Sequence, residues 1–117
     1  MNGAEFQAVR ERCGLTQHWL ADRHSVDTRT VRRWCSDTTR VPDPVALDLE
    51  ELHAELLDLA DEAAAVVTDG AELVAYRTDA ELWAALPELE GYPVQYHRAM
   101  LVLVMDATGS SIRYAAP

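Results

Sequence analysis

LTQHWLADRHSVDTRTVRRW, residues Leu15 to Trp34, is the stretch on which the reading of this chain turns. Its apolar positions fit two short helices joined by a tight turn. Thr16 is a good N-cap for the first, which is expected to run to about Arg23. His24-Ser25-Val26 makes the turn, with Val26 inserted into the core. Asp27 caps the second helix, expected to continue to about Ser36. Val31 and Trp34, three residues apart, give its buried face, and Arg29, Arg32 and Arg33 lie largely off it. An exposed arginine set on a short helix suits entry into a DNA major groove, where arginine grips guanine edges or phosphates. The plainer reading is a solvated helix face. Three arginines within five positions of an otherwise acidic chain weigh against it.

Outward from this stretch the chain reads as mainly α. A first helix is expected from about Ala4 to Cys13, with Phe6, Val9 and Cys13 as its apolar stripe and Gly14 as its stop. Asp37 to Pro42 is a polar connector. Asp43-Pro44 reads as an N-cap followed by proline at the first helical position. The long helix it opens runs to about Val67, with Leu49, Leu52, Leu56, Leu59 and Ala63 in its stripe. Thr68-Asp69-Gly70 ends it. Beyond, Glu72 to Arg77 alternates as a short strand. Asp79 caps a short helix through about Leu86 that presents Leu82 and Trp83, and Pro87 to Gly91 is a loop. Ser111 to Ala115 is a second short strand. Residues 99–105 fit either a buried helix or a strand in a hairpin with 111–115. The start signal at Pro93 and the length to about Asp106 favour the helix.

The 117 residues suffice for one ordinary domain or a minimal domain with an appendage. The net charge of −10 speaks against nucleic acid, but its distribution reverses that. Residues 1–42 hold seven arginines and five acids, whereas residues 43–117 hold three arginines and fifteen acids. A local basic surface can bind DNA while the acids point away. There is no lysine. No signal peptide or membrane-length apolar run is visible, so a soluble cytoplasmic protein is expected. Cys13 and Cys35 lack zinc spacing and read as a reduced, buried pair. His18, His24, His53 and His97 read as isolated surface histidines. No metal site, cofactor motif or catalytic set is visible, so an enzyme is not expected.

The pattern Leu15-Thr16-Gln17, Leu20-Ala21, Val26, Thr30-Val31 and Trp34 resembles the Xre/Cro helix-turn-helix family over about residues 4–64. The resemblance implies a four- or five-helix, lambda-repressor-like head that binds double-stranded DNA as a dimer. It assigns Gln17 to the DNA backbone, and Thr28, Arg29 and Thr30 to the exposed start of the recognition helix. Arg29 and Arg32 are expected at base edges and Arg33 at phosphate or bases. Thr38, Thr39 and Arg40 follow and suit phosphate. Ser25 and Asp37 stand where the family often has glycine, which implies strain at Ser25 and a carboxylate of Asp37 near the DNA. Trp19 stands at a usually polar, outward position, and either packs on a neighbouring helix or meets a subunit or the DNA backbone. Arg33-Trp34, Pro42-Asp43, Tyr76, Leu82 and the Tyr96–Met105 run give a layout similar to the anti-CRISPR-associated autoregulators. That layout implies a dimeric repressor, commonly of its own promoter, and some members of that group also bind RNA.

The division expected is a DNA-binding domain over 1–67 and a small α+β dimerisation domain over 70–117. Residues 70–117 are few for a core of their own. They nevertheless hold Leu73, Tyr76, Trp83, Tyr92, Tyr96, Met100, Leu103 and Tyr114, which are expected at a homodimer interface or, in part, against the long helix. A homodimer would read an inverted-repeat operator with heads about 34 Å apart. A competing class is an antitoxin-like interaction protein whose acidic C-terminal part covers a basic protein partner.

Overall fold

A computed structural model describes residues 1–68 and 70–117. Asp69, expected inside the stop signal Thr68-Asp69-Gly70, lies outside the described residues. The protein is mainly helical. The elements are α1 (Gly3–Arg12), α2 (Gln17–His24), α3 (Thr28–Cys35), α4 (Asp43–Val66), β1 (Glu72–Ala75), α5 (Asp79–Ala85), a 3₁₀ turn (Pro87–Leu89), α6 (Val94–Thr108) and β2 (Ser111–Tyr114). Among the described residues, no helix is long and apolar enough to cross a membrane. Two compact units result, Met1–Glu55 and Leu56–Pro117. The boundary falls within α4, not after it as the sequence suggests.

In the first unit, side chains close the starts of α1, α2 and α3. Asn2 and Glu5 form a reciprocal capping box on α1, with Glu5 N–H donating to Asn2 Oδ1 at 2.8 Å and Asn2 N–H to Glu5 Oε1 at 2.9 Å. Thr16 Oγ1 accepts from Trp19 N–H at 3.0 Å to start α2. Asp27 Oδ1 accepts from Thr30 N–H at 2.8 Å to start α3. Phe6, Cys13, Leu15, Leu20, Val31 and Leu49 are buried almost completely. Trp34 is buried edge-on against Phe6, with centroids 6.1 Å apart and planes at 84°. Val26, expected in the core, is only half-buried. Cys35 is half-buried too, because it lies beside the apolar face of α3 and not on it. Burial pushes the Cys13 thiol up to about 11, against a smaller downward pull from Arg12.

Two backbone positions are strained, and both stand where the resemblance leads one to expect glycine. Ser25 sits in the left-handed region at φ 55°, and Asp37 at φ 64°. Such a conformation costs an L-residue roughly 1–2 kcal/mol, less for aspartate. Ser25→Gly is therefore expected to stabilise the protein by about 0.5–1 kcal/mol, after the entropy glycine returns to the unfolded chain. Thermal unfolding would measure it, and a lowered midpoint would contradict the account. Asp37 closes α3 in a double-bonded C-cap, with its N–H donating to the Trp34 carbonyl at 3.2 Å and Thr38 N–H to the Arg33 carbonyl at 3.0 Å.

The second unit gathers around Leu82, Leu89 and Val94, with Leu59, Tyr76, Trp83, Leu86 and Tyr92 packed against them. Thr78, not Asp79, caps α5, accepting from Glu81 N–H at 3.2 Å. Asp79 Oδ1 instead accepts the Val94 N–H at 2.7 Å, which ties the start of α6 to α5. The 87–91 segment, expected as a loop, contains the 3₁₀ turn. Residues 94–108 are helical, so the hairpin alternative falls. α6 ends at Gly109 in the left-handed region, φ 73°. β2 pairs with β1 in parallel, Glu72 opposite Ser111 and Ala75 opposite Tyr114. A parallel pair needs a long crossover, and α5, the 3₁₀ turn and α6 supply it. α6 packs on both strands.

His97, expected at the surface, is buried. Its ring tilts against Tyr76 at 5.7 Å, and its Nδ1 has no hydrogen-bond partner. Burial, helped by the Arg98 charge, holds its pKa below the ordinary 6.5. The fold thus favours neutral imidazole. Its contribution is whole above pH 6.5, the unfolded value, and falls as acid protonates the unfolded chain first. Denaturant titrations at about pH 7.5 and pH 5 should show lower stability in acid, with His97→Gln flattening part of the slope. His53, depressed for the same reason, contributes in the same direction, so the variant isolates His97.

Candidate nucleic-acid interface

The first unit carries a cationic helix face. Arg29, Arg32 and Arg33 are all exposed on α3. Among the described residues, no hydrogen bond or ion pair holds any of the three guanidinium groups. Arg12, on α1, is exposed and without a bonded partner among the described residues as well, whereas Arg10, Arg23 and Arg40 are engaged. Arg10 donates to Gln7 Oε1 at 2.8 Å and to the Leu15 carbonyl at 3.0 Å. Arg23 makes a two-pronged contact with Asp48, Nε to Oδ2 at 2.7 Å and Nη2 to Oδ1 at 2.9 Å. Hydrogen bonding from Arg23 holds the Asp48 carboxyl below the usual range, in spite of its partial burial. His24 Nε2 lies 3.2 Å from Asp48 Oδ2 but is misaligned for a hydrogen bond. Arg23 also covers the half-buried Trp19 ring, 5.3 Å from its centroid.

Acids near α3 are turned to internal tasks. Asp27 Oδ1 accepts from both the Thr30 hydroxyl, at 2.7 Å, and the Thr30 N–H. These bonds, with smaller help from Arg29 and Arg33, keep the carboxyl ionised below its ordinary pKa. Asp37 Oδ1 accepts the Gly3 N–H at 2.9 Å, so its carboxylate serves α1.

The sequence-predicted set divides accordingly. Arg29, Arg32 and Arg33 share one helix face. Thr28 is half-buried at the start of that helix. Thr30 is half-buried and its hydroxyl is engaged with Asp27, so it acts as part of the cap and not as a free reader. Gln17 is the first residue of α2 and is half-buried. Thr38 Oγ1 pairs with Ser36 Oγ at 2.8 Å, and Thr39 is exposed. Arg40 pairs with Asp43 at 3.0 Å, but both side chains are more than 80% exposed. Such a pair is worth little and can be exchanged for a phosphate. Sequence reading missed the Asn2–Glu5 box and the Asp37–Gly3 bond. The N-x-x-E spacing signalled the first; nothing local signalled the second.

The residues expected at a dimer interface lie in the second unit and are mostly occupied there. Tyr96 is 1% exposed and stacks on Tyr92 at 4.9 Å. Trp83 Nε1–H donates to the Tyr92 carbonyl at 2.8 Å. Tyr76, Trp83 and Tyr92 all pack on the unit's core. Leu73, Met100 and Leu103 are half-buried, and only Tyr114 is substantially exposed. The aromatic surplus thus has an intramolecular home, because the latter part of α4 belongs to this unit and supplies Leu59. Among the described residues, no three His, Cys, Asp or Glu side chains gather as metal ligands.

No protein-family model matches this chain, and no curated protein matches it.

Proposed function

We propose that the protein is a sequence-specific DNA-binding transcriptional repressor that docks α3 in the major groove. The observation carrying this is the set of three exposed, unpaired guanidinium groups of Arg29, Arg32 and Arg33 on a helix whose opposite face, Val31 and Trp34, is buried. In a chain of net charge −10 such a face is anomalous unless an anion meets it. The α2–turn–α3 pair serves as a helix-turn-helix of the Xre/Cro kind, with Gln17, Thr39 and Arg40 on phosphates. Arginine's fork matches a guanine edge, so Arg29 and Arg32 read bases and Arg33 reads bases or phosphate. A single head reaches few bases, so two copies on an inverted repeat account best for useful affinity.

Selection from a randomised duplex library, followed by binding at two salt concentrations, tests this. An enriched inverted repeat, bound by two chains with affinity falling at higher salt, is expected. An unrepeated half-site bound by one chain would remove the dimer. No enriched sequence from a folded protein would remove DNA reading itself.

A further inference from the structure

The second unit has its own charge anomaly. Residues 56–117 hold ten acids and only three arginines, Arg77, Arg98 and Arg113. Two of them converge on one side chain, and the third borders the cleft beside it. The Arg77 guanidinium carbon lies 4.4 Å from the Tyr114 ring centroid and that of Arg98 lies 5.9 Å from it. Arg113, next to Tyr114 in β2, borders the same cleft but turns its side chain to the other sheet face, where its guanidinium also donates to the Tyr114 carbonyl at 3.1 Å. Random placement in an acid-rich unit would scatter three cations among the carboxylates.

Two of the three are not neutralised. The Arg98 side chain donates from Nε and Nη2 to the Tyr76 carbonyl, at 3.3 and 3.1 Å, and from Nη2 to the Arg77 carbonyl at 3.2 Å. The Arg77 side chain donates to the Ala115 carbonyl at 3.1 Å. Among the described residues, no carboxylate forms an ion pair with either guanidinium. Backbone carbonyls fix the position of Arg98 without cancelling its charge, and its Nη1 donors remain unused. Arg113 does have a carboxylate, Glu72, at 2.6 Å, in a half-exposed pair. That pair is weak enough to be remade.

Beside these cations lies an apolar cleft of about 240 Å³. Leu101, Val102 and Ile112 form its apolar wall, while Arg98 and Tyr114 bring charge and a ring to it. Val102 is 45% and Tyr114 48% exposed, so apolar surface stays wet where the arginines gather. A second copy pressed symmetrically over this place would set its arginines against these same arginines. A ligand with an apolar body and one anionic head satisfies both features.

We infer that the cleft between α6 and β2 binds a small amphipathic carboxylate, its short hydrocarbon tail on Leu101, Val102 and Ile112 and its carboxylate on the free Nη1 edge of Arg98. The site is independent of the DNA reading and is tested on the protein alone. Octanoate and octanol would be titrated separately into the full chain while backbone amide resonances are followed. Octanoate should shift Val102, Ile112, Arg113 and Tyr114 saturably, and octanol should bind there much more weakly. Arg98→Gln, at a part-exposed position, should weaken octanoate by about tenfold and leave octanol unchanged. Val102→Glu, at an exposed position, should abolish the octanoate shifts with the spectrum otherwise folded. Equal binding of octanol and octanoate would overturn the carboxylate assignment. Absent or unsaturable shifts, or shifts centred elsewhere, would overturn the site.

Discussion

Gly3→Ala should destabilise the first unit by about 2 kcal/mol, although alanine is the better helix former. A Cβ built at Gly3 would lie 2.5 Å from the Trp34 carbonyl oxygen, 2.6 Å from Asp37 N and 2.8 Å from Asp37 Cα. All three are backbone atoms, and none can swing aside. The start of α1 would have to lift off the end of α3, loosening the Gly3–Asp37 hydrogen bond and the Phe6–Trp34 edge packing. Overpacking of this kind costs about 1–3 kcal/mol, and a disturbed hydrogen bond adds about 1. Helix propensity alone would favour alanine by up to about 1 kcal/mol. The two accounts differ in sign, so a denaturant titration decides. An unchanged or raised midpoint would show that the close approach does not constrain α1.

Replacing Arg29, Arg32 and Arg33 together with alanine should remove specific DNA binding while leaving the fold in place. A base-reading or phosphate arginine contributes roughly 1–3 kcal/mol. Three together should cost at least about 3 kcal/mol, or more than about a hundredfold in affinity. The salt dependence should flatten by about one unit of slope for each phosphate that no longer meets an arginine. Stability should change little, because these exposed side chains have no bonded partners among the described residues. Single variants then assign roles. Arg32→Ala should relax preference at one base position. If Arg33 grips a phosphate, Arg33→Ala should instead weaken all sequences alike. Binding retained by the folded triple variant would refute the major-groove reading.

The first unit was legible because its signals are local. Thr16 and Asp27 stand one residue before the helices they cap, and Val31 with Trp34 marks the buried face of α3. The absence of glycine at 25 pointed to the strain found there, whereas the left-handed backbone at Asp37 was not anticipated. What Asp37 does with its carboxylate was not legible, since its partner, Gly3, is 34 positions away. In the second unit, Pro93 located α6 and Gly109 stops it, but the partner of β1 had no local signature. Four-residue strands far apart in sequence carry no register information. The aromatic residues were read as an interface because residues 70–117 were counted as a unit by themselves. Once the later turns of α4 are included, Tyr76, Trp83, Tyr92 and Tyr96 have enough surface to pack on. The gathering of Arg77 and Arg98 around Tyr114 depends on that same non-local pairing.

The parallel ladder also sets an order of events. Residues 72 and 111 face one another only after the whole intervening chain has been wound into its crossover, so loop-closure entropy is lost before any ladder bond offsets it. α2 and α3, by contrast, meet across a three-residue turn. The first unit should therefore reach its native form early in refolding. The sheet and the cleft beside it should be completed late, as the slow phase of the chain.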